Sequence, residues 1–318
     1  MLMEKKKLAV VFPGQGAQRP GMGKDFYSTL TVCRETYEEA SRAAGWDIAS
    51  ICFGDDERLN LTEYTQPCIL TTEIAMFRGL QTRFGFSPVF FGGHSLGEFT
   101  ALVAAGSISL ADAVRIVQVR GRLMQEAVPV GVGAMAAVIS DNVDVELIRR
   151  ALTDVPVNVA NINSVNQVVI SGEAGAMPEA ESRLRDVLAR GKEFRYVPLN
   201  VSAPFHSRFM DTIVDKFEDT LRAAEKGIHA EKSVVVTSNY TGRFHTGDHD
   251  DLISNLVFQL NHPVQWVENM KQLSARADAV YEVGPGRPLR DFFKTIGVTC
   301  SSVTTLSTAE RGFAKTGG

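Results

Sequence analysis

Residues 92 to 106 read GGHSLGEFTALVAAG, with a serine between glycines where the apolar run PVFFG at 88–92 gives way to a helical pattern. G-H-S-L-G, centred on Ser95, matches the G-x-S-x-G elbow, a sharp strand-to-helix turn that lifts a serine hydroxyl out of a sheet. The chemistry such a serine could do is nucleophilic attack on an acyl carbon; the plain alternative is a serine capping the helix that follows. The same turn would aim the Leu96 backbone N–H at a developing oxyanion. So short a pattern also recurs by chance in glycine-rich chains, so further groups must supply the rest of the chemistry.

A serine hydroxyl needs a base, and the chain holds 6 histidines. His229, His245 and His249 fall in polar, loop-like stretches, and His262, in NHPVQW, precedes a proline and shapes a turn. His94 adjoins the serine, but adjacent side chains on a tight turn diverge, and packing or a local hydrogen bond accounts for it. His206, in NVSAPFHSRFMD, follows an extended segment and opens an amphipathic helix. A helix N-terminus disfavours imidazolium and keeps the ring able to accept a proton. His206 is thus the candidate base, or else a polar residue capping that helix.

Winding residues 110 to 127 at the helical period gathers Leu110, Ala113, Val114, Ile116, Val117, Val119, Leu123 and Met124 on one broad apolar arc, and Arg120 lands inside it. A guanidinium cannot be neutralised cheaply, so Arg120 must snorkel, pair with an internal carboxylate, or grip an anionic ligand through two hydrogen bonds. FPGQGAQ, residues 12 to 18, lacks the spacing of a nucleotide-binding loop. Gln15, between two of its glycines, either offers an N–H to an oxyanion or sits in a tight turn incidentally.

Short apolar runs bounded by turn residues, LAVVF at 8–12, PVFFG at 88–92, SVVVTSN at 233–239 and AVYEV at 279–283, read as buried parallel strands. Between them lie amphipathic segments at 66–85, 110–127 and 208–227, an alternation that predicts an α/β protein with functional groups beyond the C-terminal strand ends. Between 128 and 199 the rhythm becomes βαββαβ, the order of a ferredoxin-like unit. The expected division is a large α/β domain of residues 1–127 and 200–318 with a small inserted domain of 128–199, and a frayed tail at STAERGFAKTGG.

Composition narrows the function. The chain has 318 residues, 44% hydrophobic, with 33 basic and 37 acidic residues for a net charge of -4. That balance offers little to a nucleic-acid backbone. The 4 cysteines are too sparse for a disulfide framework and lack C-x-x-C spacing, which predicts reduced thiols in a cytoplasmic protein and no zinc site. No run approaches the roughly 20 apolar residues of a membrane span.

In order along nearly the whole chain, VFPGQGAQ, GHSLGEFTALVAAG, QVRGRLMQEAVPVGVGAMAAV, NQVVISG, VSAPFH, QLNHPVQW and EVGPG resemble the malonyl-CoA:acyl carrier protein transacylase family of fatty acid and polyketide synthesis. The resemblance implies a large α/β-hydrolase-like domain carrying a ferredoxin-like insertion. It also implies Ser95 as the nucleophile that becomes malonylated, His206 as its base and acid, and Arg120 as the holder of the malonyl carboxylate. Gln15 and the Leu96 N–H match oxyanion-hole positions, and Gln259 matches a residue whose backbone carbonyl orients the histidine. His94 belongs to the substrate-binding set. Phe205 resembles the phenylalanine of malonyl-selective polyketide acyltransferases, where it crowds an α-methyl group. The substrates implied are malonyl-CoA and phosphopantetheinylated acyl carrier protein, with no bound cofactor; the length of 318 residues predicts a free-standing, monomeric enzyme. Carrier proteins are acidic, so Arg287, Arg290 and Lys294, on one helical stripe, are docking candidates, the alternative being a solvated face. Two other classes compete: a serine acyl hydrolase or thioesterase acting on carrier-protein thioesters, for which a buried Arg120 has no use, and a non-catalytic binding module with an inert Ser95.

Overall fold

The first strand, β1 (Leu8–Phe12), is buried on both faces: Val10 and Phe12 enter one apolar cluster, while Ala9 and Val11 enter another around Trp266, Met270 and Leu273. A strand flanked this way needs helices on both sides, and the chain supplies them. The computed structural model describes residues 6–189, 193–201 and 203–313. After β1 come α1 (Lys24–Thr29), α2 (Thr31–Ala44), α3 (Ile48–Phe53), α4 (Thr62–Phe84), β2 (Phe90–Gly93), α5 (Leu96–Ala104) and α6 (Leu110–Glu126). Then follow β3 (Gly133–Ser140), α7 (Val145–Ala151), β4 (Val157–Ser164), β5 (Gln167–Glu173), α8 (Met177–Leu188) and β6 (Phe194–Pro198). The chain continues through α9 (Val214–Ala223), α10 (His249–Phe258), α11 (Trp266–Arg276), β7 (Ala279–Val283), α12 (Pro288–Thr295), β8 (Cys300–Val303) and α13 (Leu306–Phe313).

Two sheets result, one parallel and one antiparallel. The parallel sheet runs β2-β1-β7-β8. Its C-terminal edge is where Gln15 leaves β1, Ser95 leaves β2 and Pro288 follows β7, the edge at which open α/β sheets bind ligands. The antiparallel sheet runs β4-β5-β3-β6, the ferredoxin-like order expected from βαββαβ. Period-2 alternation divides β3: Ala136 and Val138 join Ile148 and Leu184 in a core under α7 and α8, while Met135 and Ala137 face the larger core.

Three expectations change. SVVVTSN is not a strand: a 3-10 turn spans Ala230–Val235, and the run makes isolated bridges at Val236, to Phe91, and at Thr237, to Phe244. Ser233, buried, bonds back to the Ala230 carbonyl, and this local turn outcompetes the β-branched run. The fourth strand of the parallel sheet is instead β8. The segment 208–227 opens with a 3-10 stretch, Arg208–Ile213, before α9. The tail is ordered through α13, whose Ala309 is buried and whose Phe313 stacks on Tyr281 and Phe84. Residues 190–191 of the second helix expected in the 128–199 unit, Ser202 of VSAPFH and residues 314–318 lie outside the described residues. Among the described residues, no helix is long and apolar enough to cross a membrane.

Candidate active site

Ser95 occupies a sharp turn between β2 and α5, with φ 50° and ψ -105°. Non-glycine residues visit this region at a cost, so the surroundings must hold it. A Cβ on Gly93 would lie 2.0 Å from the Gly97 backbone, and one on Gly97 would lie 2.1 Å from the Phe12 carbonyl, so both glycines of G-x-S-x-G are sterically required. Asn239 pins the turn from behind: its Oδ1 accepts from the Ser95 N–H at 3.1 Å and its Nδ2 donates to the Gly93 carbonyl at 2.7 Å.

Ser95 Oγ donates to His206 Nε2 at 2.7 Å, and His206 Nδ1 lies 2.7 Å from the Gln259 backbone carbonyl. A carbonyl only accepts, so Nδ1 carries the proton and Nε2 presents its lone pair to the serine. His206 is 3% exposed, and burial first, then the Arg120 charge, push its pKa down to about 3. The sequence-based reason for a neutral ring, a helix N-terminus, is therefore replaced: His206 sits ahead of the 3-10 stretch with φ 56°, and desolvation does most of the work.

Arg120 neither snorkels nor pairs directly with an acid. It is 1% exposed, and its Nη1 donates to Gln66 Oε1 at 2.9 Å while Nη2 donates to Gln259 Oε1 at 2.8 Å and to Ser95 Oγ at 3.2 Å. Both anchors are neutral amides, and the buried Nε has no hydrogen-bond partner among the described residues. Burial pushes its pKa down to about 10, which leaves it cationic at neutral pH. The arrangement is a fixed positive fork beside a hydrogen-bonded serine–histidine pair, a geometry that can hold a carboxylate next to the serine hydroxyl.

These groups open into a cavity of about 660 Å³ between the two sheets. Gln15, Leu96, His94 and Phe205 all line it. Gln15 donates its amide to Thr62 Oγ1 at 3.2 Å. Leu96 opens α5, so its N–H is one of those a helix start leaves without an intrahelical partner. His94 bonds Asn163 Oδ1 through Nε2 at 2.8 Å; burial lowers its pKa to about 4. Asn163 in turn donates to Gln167 Oε1 at 2.9 Å, tying the elbow to the antiparallel sheet. Arg287 and Lys294 are exposed and Arg290 is half-buried beside Asp291, while Pro288, Leu289 and Phe292 of the same segment form cavity wall.

Sequence reasoning missed Gln66, Asn239, Glu98 and His245. Gln66 lies in α4, where residues 65–77 are buried on every side, so the helix offers no apolar face against which the periodicity test that flagged Arg120 could have found it. His245, assigned to a polar loop, is 4% exposed and bonds the fully buried Glu98 at 2.9 Å. Its neighbours His229 and His249 carry no local signal that separates them from it.

A serine on such a turn, backed by a histidine, sets the chain among enzymes that transfer acyl groups, and residues 9–284 match the family described as acyl transferase domain. It is 40% identical over 294 residues to the malonyl CoA-acyl carrier protein transacylase of Escherichia coli (strain K12), covering 91% of this chain and 93% of that one. The transacylase of Bacillus subtilis (strain 168) is 37% identical over 91% of this chain and 90% of its own. Among solved structures, FabD from Acinetobacter baumannii superposes with TM-score 0.89 at 36% identity, covering 98% of both chains. A malonyl-transacylase in complex with its type II PKS acyl-carrier protein superposes with TM-score 0.88 at 34% identity, over 97% of this chain and 99% of that one. The chain belongs to the malonyl CoA-acyl carrier protein transacylase family.

Proposed function

We propose that this protein moves a malonyl group from malonyl-CoA to the phosphopantetheine thiol of an acyl carrier protein, by a ping-pong route through malonyl-Ser95. The observation that carries this reading is Arg120, a buried cation anchored by neutral amides within 3.2 Å of the Ser95 hydroxyl. On malonyl binding, its Nη2 exchanges Ser95 Oγ for the substrate carboxylate. Ser95 Oγ then attacks the thioester carbonyl as His206 Nε2 takes its proton. The Leu96 and Gln15 backbone N–H groups bear the oxyanion. The intermediate collapses, the CoA sulfur leaves with the proton from His206, and malonyl-Ser95 remains. The carrier-protein thiol repeats the steps in reverse.

The small unit of 128–199 forms the roof of the acyl pocket, supported by its own core under α7 and α8. Arg287, Arg290 and Lys294 border the mouth and meet the acidic carrier protein. The enzyme works in the cytoplasm, in keeping with four buried free cysteines. Initial rates with both substrates varied should give parallel double-reciprocal lines; intersecting lines would exclude the acyl-enzyme route.

Two further outcomes follow from the site. Phe205 is 6% exposed and lines the cavity. Phe205→Ala is expected to raise use of methylmalonyl-CoA relative to malonyl-CoA by about tenfold, the scale of one methyl group in a pocket; an unchanged ratio in a competition assay would remove Phe205 from extender selection. Because His206 stays neutral down to about pH 3, kcat/KM for malonyl-CoA should remain level as pH falls through 6.5 toward 5. A drop of about tenfold per pH unit below 6.5 would mean an ordinary imidazole. Stability moves differently. Between the unfolded value of 6.5 and the folded values of about 3 for His206 and about 4 for His94, the unfolded chain binds more protons, so stability is full above 6.5 and declines as pH falls through that window. Thermal melts from pH 7 to pH 4 check the sign.

A further inference from the structure

The geometry points to Glu98, clamped by His245, as a positioning residue: it fixes the orientation of the two amides that aim Arg120 and hold Ser95. This inference rests on malonyl transfer being the reaction.

Glu98 lies in the first turn of α5, is fully buried, and does not line the acyl cavity. Its Oε2 accepts from Gln259 Nε2 at 2.6 Å, from Asn239 Nδ2 at 2.6 Å and from the Asn239 backbone N–H at 3.0 Å. Its Oε1 accepts from His245 Nε2 at 2.9 Å, in a pair whose side chains are 0% and 1% exposed. Four donors converge on a group that, ionised, only accepts.

A primary amide is nearly symmetric in shape, so nothing but its partners decides which end is oxygen. Gln259 turns its Nε2 to Glu98, which leaves Oε1 as the acceptor for Arg120 Nη2 at 2.8 Å. Reversed, it would set oxygen against carboxylate and nitrogen against guanidinium. Asn239 obeys the same rule: with Nδ2 on Glu98, Oδ1 must face the Ser95 N–H at 3.1 Å. One carboxylate therefore orients both amides, alongside two backbone carbonyls that accept from the same nitrogens, Gly93 from Asn239 Nδ2 at 2.7 Å and Ser95 from Gln259 Nε2 at 3.2 Å. Through Gln259 it also reaches the base, since the Gln259 backbone carbonyl receives His206 Nδ1–H. Glu98 is in addition the acidic group whose charge supports the buried guanidinium. His245 closes the arrangement by fixing Oε1, so the carboxylate cannot rotate away from the amides.

Steady-state transfer of malonyl and acetyl groups from their CoA thioesters to holo acyl carrier protein separates positioning from packing. Glu98→Leu removes the acceptor at similar volume and is expected to lower malonyl kcat/KM about 100-fold, with acetyl transfer falling about tenfold less. Glu98→Gln, which keeps an oxygen for both amides, should recover about tenfold or more of the lost malonyl transfer. His245→Phe tests the same chain without touching the carboxylate and should lower the malonyl-to-acetyl ratio about threefold; His245→Gln, which can still donate to Oε1, should restore it. Equal losses for both acyl groups in Glu98→Leu would overturn the inference. If Glu98→Leu fails to fold, a wild-type ratio in His245→Phe overturns it instead. A wild-type enzyme that transfers no malonyl in the same assay would refute the proposed function itself, a separate result.

Discussion

Ser95→Ala is expected to abolish acyl transfer to the carrier protein, with a loss of about 10⁴-fold or more, the scale seen when a covalent nucleophile is removed. The substitution deletes one oxygen that His206 Nε2 and Arg120 Nη2 both contact. It should leave the turn in place, because Asn239 holds the backbone through the residue 95 N–H and the Gly93 carbonyl. Folding is thus not the expected cause of the loss, and an unchanged thermal melt beside a vanished rate makes that distinction. A variant that kept more than about one hundredth of wild-type transfer would require a second nucleophile.

The second large effect belongs to Arg120→Ala. Here the expected result is a fall of about 10²- to 10³-fold in malonyl kcat/KM, the scale of leaving a buried charge without its partner. Acetyl transfer should stay within about tenfold, because an acetyl group presents no carboxylate to the fork. Gln66 and Gln259, relieved of the guanidinium, would each keep an amide oxygen facing an apolar gap, so some loss of stability should accompany the kinetic effect. Competition between the two thioesters reads the ratio directly. Equal losses for malonyl and acetyl would remove Arg120 from carboxylate recognition and make it a structural cation.

How far the site can be read from the sequence depends on where each group lies in the chain. Ser95 is legible because its turn is local: two glycines, one apolar strand and one helix are all written within fifteen residues. Arg120 is legible because a cation on an apolar helical arc violates a periodicity that can be counted. Its anchors are not, since Gln66 and Gln259 come from α4 and the end of α10 and meet the guanidinium only after the sheet has formed. The neutral state of His206 was expected on the wrong ground, a helix dipole, whereas burial and Arg120 set it. SVVVTSN carried every β-branched signal and became a turn with two isolated bridges, because a buried serine closed it locally and β8 took the place in the sheet. Glu98 lay inside the same GHSLGEFTALVAAG stretch as Ser95 and passed as one more charge. Only its neighbours in space, Asn239, His245 and Gln259, reveal what it holds.

The central claim is that Ser95 carries a malonyl group between two thiols. Intact-mass measurement of the enzyme after mixing with malonyl-CoA, and again after adding holo acyl carrier protein, tests it most directly. The expected result is a single malonyl adduct, mapped to Ser95 and absent from Ser95→Ala, that persists without carrier protein and passes to it on addition. An enzyme that never acquires the adduct, or that releases free malonate as fast as it is loaded, would contradict the account.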